Sequence, residues 1–299
     1  MSVVEQAIDK LRQKVTATAA IGMVVLKPLP PDANGAAPST LPTRHVLIDR
    51  LALRNAGYLP EQEKDRQFAD YYRRIKRPLI VRAMADDDGR GISARLILLT
   101  SALPGDGKTF TSINLALSMA RERDISVVLV DADVAKPHIS RIFGVEREPG
   151  LLEALNDESI DVESLVLPTD VPRLSILPTG MLYEGATELL ASERMTQITA
   201  RLNARDPKRI TLFDSAPLLV STESRVLAAI TGQLLLVVRA DMTPRKAVLD
   251  AIAQIGEDRA INLVLNQGHV GDSDGKYGIF GYNYGYGNYG DDADKRASP

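Results

Sequence analysis

Six consecutive residues, Pro104, Gly105, Asp106, Gly107, Lys108 and Thr109, stand between the apolar run ARLILLT and a stretch in which Phe110, Ile113, Leu117 and Ala120 recur at helical spacing. Strand, glycine-framed loop and helix in that order make an anion site. The glycines let backbone N–H groups curl around phosphate oxygens, and the helix N-terminus adds its dipole. In such a loop Lys108 reaches the terminal phosphates and the Thr109 hydroxyl ligates Mg2+. The pattern G-x-x-x-x-G-K-[ST] is met except at its first glycine, where Ala102 stands. The plainer alternative is a glycine-rich turn before an ordinary helix. The flanking strand and helix favour the phosphate loop, with Pro104 to Phe110 as its ligand-facing residues.

Carboxylates follow at two further strand ends. VVLVDAD places Asp131 and Asp133 at the carboxyl end of one apolar run, and ITLFD places Asp214 at the end of another. Ligands of open parallel sheets bind there. Each aspartate alone would serve equally as a helix N-cap, but beside a phosphate loop the three together suit an Mg2+-nucleotide site. Thr109, Asp131 and Asp214 are the candidate metal ligands.

The elements that must carry these residues can be read from the pattern around them. From Ala94, near-continuous Val/Ile/Leu runs alternate with helical stretches, as in a parallel sheet covered on both faces. The expected architecture is α/β: a doubly wound, mostly parallel sheet. Residues 1–45 read as an N-terminal helix, opened by a Ser2/Glu5 capping box, followed by a Pro/Ala/Gly-rich flexible linker. Residues 46–79 form a helical lead-in in which Phe68, Tyr71, Tyr72 and Ile75 recur at i, i+3, i+4 and i+7. The domain proper occupies 80–268. Residues 269–299 are rich in Gly, Tyr, Asn and Asp, the composition of a disordered tail.

Composition narrows the chemistry. Lys and Arg number 36 against 39 Asp and Glu, a net charge of -3, so no bulk field draws nucleic acid, and none is expected as a partner. With no cysteine and three histidines, disulfides, thiol catalysis and zinc knuckles drop out. No run reaches the roughly 18 apolar residues of a membrane span, and the N-terminus lacks the layout of a signal peptide. A membrane connection is therefore expected through a partner.

SALPGDGKT, VVLVDADVAKP, ITLFDSAPLL and a C-terminal tyrosine cluster together resemble the bacterial tyrosine kinases of exopolysaccharide and capsule biosynthesis. These are P-loop enzymes of the wider ParA/MinD ATPase group. The resemblance places Walker A at 101–109, Walker A′ at 127–133 and Walker B at 210–214. It implies ATP and Mg2+ as cofactors, and catalysis by Lys108, Asp131, Asp133 and Asp214. One of Asp131 and Asp133 would accept the tyrosine proton and the other hold the metal's water, in an order the sequence leaves open. Asn266, in LVLNQ, falls where the family contacts adenine. The expected phosphoacceptors are Tyr277, Tyr282, Tyr284, Tyr286 and Tyr289.

The resemblance further implies a separate transmembrane chain-length regulator as activator, a cognate phosphotyrosine phosphatase, and a cytoplasmic protein recruited to the inner face of the membrane. FADYYRRIKRPLI is similar in place and charge to the helix through which family members assemble into rings, which implies a homo-oligomer. Departures from the family are Ala135 where Walker A′ often carries arginine, with Lys136 beside it, and Ser215 and Ala216 after Walker B. Leu103 fills the place of the signature lysine of ParA/MinD-type ATPases, which favours the kinase branch. Two other readings share the motifs: a ParA/MinD-like switch ATPase that hydrolyses ATP without labelling itself, and a nucleotide-dependent scaffold of an export complex without transfer chemistry.

Overall fold

The computed structural model describes residues 45–85, 92–182, 185–256 and 259–268. The expected N-terminal helix, the linker and the tyrosine tail lie outside the described residues. Helix α1 (Arg50–Asn55) starts at Asp49, whose carboxylate accepts from the N–H groups of Leu51 and Ala52. It ends in a left-handed turn at Gly57, φ 77°, where Gly57 N–H donates to Arg54 O and Tyr58 N–H to Leu53 O. A 3₁₀ turn (Gln62–Lys64) leads into α2 (Asp65–Met84).

The buried stripe of α2 is Tyr72, Lys76, Leu79 and Ala83, so only Tyr72 of the apolar quartet read from sequence is fully inside. Lys76 displaces the stripe: its stem lies in the interface while its ammonium donates to Ser118 O at 2.7 Å and pairs with Glu122 at 2.7 Å. Helix α2 runs unbroken past residue 79, and Val46, Ile48, Leu53, Tyr72 and Leu79 share one core with the sheet.

The sheet has seven strands: β1 (Leu96–Ser101), β2 (Ser126–Asp131), β3 (Leu167–Pro168), β4 (Leu174–Leu177), β5 (Arg209–Asp214), β6 (Gln233–Arg239) and β7 (Ile261–Asn266), ordered β3-β4-β2-β5-β1-β6-β7. All neighbours are parallel except β3 with β4. Val46 extends that edge through a parallel bridge to Thr169. The period-two rule of strands divides the apolar runs between two cores. Ile97, Leu99, Val127, Leu129, Ile210 and Leu212 face one, while Leu96, Leu98, Val128, Val130 and Phe213 face the other.

Helices α3 (Lys108–Met119), α4 (His138–Ile142), α5 (Leu151–Asn156), α6 (Ala186–Leu190), α7 (Glu193–Ala204), α8 (Thr222–Ile230) and α9 (Arg245–Ile255) complete the described helices, with a further 3₁₀ turn at Val162–Leu165. The chain leaves β1 for β2 on one side and later returns for β6 on the other, so the carboxyl ends of the strands around β1 open a crevice.

Candidate functional site

The phosphate loop closes that crevice. Gly105 (φ 89°) and Gly107 (φ 94°) take left-handed conformations, and α3 begins at the next residue, Lys108. The amides of Lys108, Thr109 and Phe110 lie in the first turn, where no carbonyl four residues back within the helix can accept them. Pro104 and Gly105 are exposed, as a ligand-facing rim requires. The Phe110 ring packs edge-on against Phe68 of α2, centroids 6.1 Å apart.

Asp106 faces inward and shapes the loop. It is buried, with Oδ2 accepting from Leu103 N–H at 3.1 Å and Oδ1 from the Thr243 hydroxyl at 2.6 Å. Thr243 in turn accepts from Arg239 N–H, tying the loop to the end of β6. Asn266, at the end of β7, donates its side-chain amide to Asp106 O at 2.9 Å. It lies so close over Gly107 that a β-carbon there would stand 1.9 Å from its Nδ2.

The three aspartates meet the loop from the middle of the sheet. Asp131 and Asp214 are register partners on adjacent strands, both fully buried. Asp214 accepts from Thr109 Oγ1 at 2.9 Å and from Ser112 Oγ at 2.7 Å. Burial pushes its pKa up, against the opposing pull of the Lys108 charge and the two hydroxyls. Asp133 pairs with Lys108, Nζ to Oδ2 3.0 Å, and its Oδ1 accepts from Lys136 N–H. Burial works to lower the Lys108 pKa, yet it ends raised, because Asp214, Asp133 and Asp131 surround the ammonium.

Asp131 differs from its neighbours. Oδ2 accepts both the N–H and the hydroxyl of Ser140 on α4, each at 2.7 Å, while Oδ1 has no partner. Burial drives its carboxyl up to about 7, with Asp214 and Asp133 adding to the effect and the Ser140 bonds opposing it. Thr179 completes the cluster, donating to Asp131 O at 2.9 Å. Lys136, beside the missing Walker A′ arginine, has an exposed side chain.

Among the described residues no three His, Cys, Asp or Glu side chains gather closely enough to hold a metal ion by themselves. A threonine hydroxyl and carboxylates are hard oxygen donors, which suit a cation such as Mg2+ that takes further oxygens from phosphate and water. The Thr109–Asp214 pair fits such an ion's inner or outer ligands, and the orphaned Asp131 Oδ1 is open either to an outer ligand of the ion or to a proton.

The structure thus brings together Lys108, Thr109, Asp131, Asp133 and Asp214, and places Asn266 on the flank of the loop. It adds Ser112, Ser140, Thr179 and Thr243. Ser112 was within reach of sequence reasoning, since three residues beyond Thr109 on a helix is the same face. Ser140 and Thr243 carry no sequence signal; their hydroxyls matter only once α4 and the β6–α9 loop have packed. The five tail tyrosines lie outside the described residues.

Comparison with known proteins bears on the fold and the family. The ParA family model, described as NUBPL iron-transfer P-loop NTPase, matches residues 93–198. EpsB of Ralstonia nicotianae is 36% identical over 161 residues, which are 54% of this chain but 21% of EpsB. The tyrosine-protein kinase CpsD of Streptococcus agalactiae is 28% identical over 65% of this chain and 83% of its own. Among solved structures the VpsO kinase domain is 31% identical, covering 58% of this chain and 85% of its own, with a TM-score of 0.53. No helix among the described residues is long and apolar enough to cross a membrane. With a phosphate loop and two aspartate-bearing strand ends in these positions, the chain belongs to the bacterial tyrosine kinases, built on the ParA-like P-loop fold.

Proposed function

We propose that the chain is an ATP-dependent protein tyrosine kinase that modifies the tyrosines of its own C-terminal segment, Tyr277, Tyr282, Tyr284, Tyr286 and Tyr289. The observation that carries this reading is the pairing of Lys108 with Asp133 and of Thr109 with Asp214 beside an Asp131 that keeps one oxygen free. Loop amides from Gly105 to Phe110 and Lys108 would hold the phosphates. Asn266 spends one N–H of its Nδ2 on the loop, which leaves its other N–H and its Oδ1 for the adenine contact expected of it. Bound Mg2+ would neutralise charge on the transferring phosphoryl group, with Thr109 and Asp214 holding it directly or through water.

The acceptor phenol oxygen forms a bond to the γ-phosphorus of ATP as the bond from that phosphorus to the β,γ-bridging oxygen breaks, releasing ADP. The phenol proton passes to a carboxylate. Asp133 is committed to Lys108, whereas Asp131 has a free oxygen and a pKa of about 7, close to the value that suits a general base at neutral pH. On this reading the chain works with a separate transmembrane chain-length regulator and a phosphotyrosine phosphatase in exopolysaccharide export. It would assemble with copies of itself through α2 at the inner face of the membrane.

Mass spectrometry of the purified chain after incubation with Mg·ATP tests the reading. Phosphotyrosine is expected on the tail and is expected to fall by about 100-fold or more in Lys108→Met, which removes the cation facing the phosphates. ATP hydrolysis without phosphotyrosine in the wild type would instead favour a switch ATPase.

A further inference from the structure

Strand β7 closes one edge of the sheet, with β6 as its single strand neighbour among the described residues. Register sets Leu263 beside Leu236 and Leu265 beside Val238, so both point to the face that α9 covers through Ala251, Ile252 and Ile255. That cover stops short. Ile261, at the start of the strand, still packs against the α9 cluster, whereas Leu263 and Leu265 are 57% and 58% exposed.

An edge strand left to water is ordinarily guarded by a charge, a proline or a bulge. β7 reads INLVLN and carries neither charge nor proline. In a doubly wound sheet the helix after a strand folds back to cover it, but the sequence after Asn266 turns to Gly, Tyr, Asn and Asp without a helical period. The face therefore lacks a helix. The same chain has a helix pattern that lacks a face: Val4, Ile8, Leu11 and Val15 recur at helical spacing behind the Ser2/Glu5 capping box, in a segment outside the described residues.

We propose that residues 2–15 of the same chain lay their apolar stripe on Leu263 and Leu265 and supply the missing cover of β7. The reach fits. Val46 is fixed at the far edge of the sheet by its bridge to Thr169, and six strand spacings of about 4.8 Å separate β3 from β7, roughly 29 Å. A random coil of the length of residues 16–44 has a root-mean-square span of about 30 Å. A tether whose span matches the gap gives its cargo the highest effective concentration, so a small contact suffices. A second copy is a poorer occupant, because two leucines at a sheet edge fall far short of the roughly 800 Å2 that each partner brings to a stable interface. The docked segment would also steady the strand that ends in Asn266, whose amide holds the phosphate loop.

The chain has no cysteine, so introduced pairs report alone. In dilute full-length protein, Ile8→Cys with Leu263→Cys is expected to close an intrachain disulfide about tenfold faster than Gln6→Cys with Leu263→Cys, because the bond needs β-carbons about 4 Å apart and Gln6 stands on the opposite side of the helix pattern. Leu263 is exposed, so its replacement leaves the core untouched. Equal rates for the two pairs would overturn the proposal, and so would a disulfide that forms only between chains, the mark of a second copy on this face. A second measurement needs no cysteine. Amide hydrogen exchange across residues 261–266 should quicken about tenfold in full-length Ile8→Asp/Leu11→Asp protein, while exchange across residues 126–131 of β2 stays as in the wild type. Unchanged exchange in β7 would equally remove the docked segment.

Discussion

Strands β2 and β7 both end at the candidate site, but under opposite conditions. β2 lies between β4 and β5 and is buried from Val127 to Asp131; β7, among the described residues, has β6 alone as strand neighbour and leaves Leu263 and Leu265 more than half exposed. β2, with β5 beside it, supplies charge: Asp131 and Asp214 sit fully out of water, where burial displaces their ionisation. β7 supplies shape: the Asn266 amide pins a loop carbonyl. A carboxylate can be tuned far from its ordinary range only where protein surrounds it on every side, whereas a neutral hydrogen bond works at a half-wet edge.

The comparison breaks most sharply at the centre. Asp214→Asn replaces one accepting oxygen by a donor, so either Thr109 or Ser112 loses its acceptor and the Lys108 cluster loses a charge. Tyrosine phosphorylation is expected to drop by about 100-fold or more in a single-turnover assay, with the fold retained by circular dichroism. A pH-dependent effect belongs to Asp131. Its folded pKa of about 7 lies above the unfolded value of 3.8, so the stability linked to it is whole below the unfolded value and is lost as pH rises through about 7.

In EDTA and without nucleotide, Asp131→Asn should therefore be more stable than the wild type at pH 8, by about 4 kcal/mol, and lose that advantage toward pH 4. Thermal denaturation across that range measures it, and a pH-independent difference between the two proteins would show that Asp131 is not a buried, raised carboxyl. The edge should respond least. Gly107→Ala puts a β-carbon against Asn266 and forces alanine to a φ of 94°, and the cost of such strain corresponds to roughly tenfold weaker ATP binding. Adding Asn266→Ala should restore only part of the loss, because the collision is relieved but the backbone strain is not; calorimetric titration with Mg·ATP reads both.

Much of this site is legible before folding. The loop from Pro104 to Thr109 and the aspartates at 131, 133 and 214 announce themselves because they stand at or just after the end of an apolar run, and an apolar run in an α/β chain is a strand. The lead-in is less legible. Its apolar quartet points to Tyr72 but misses Lys76, since a lysine that buries its stem and bonds a carbonyl reads as a surface residue in any one-dimensional pattern. The short β3, antiparallel at the edge and extended by Val46, has too few residues to show a period.

The sequence by itself determined that the loop glycines, a lysine and three carboxylates would converge at the carboxyl ends of parallel strands, because strand polarity and the strand–loop–helix order set that meeting place. Only the tertiary structure decided how the carboxylates divide their work. Asp133 takes Lys108, Asp214 takes two hydroxyls of α3, and Asp131 is left with one satisfied and one free oxygen because α4 happens to present Ser140 on one side alone. That allocation depends on where helices pack against the sheet, a property of distances between residues far apart in the chain, which no local pattern encodes.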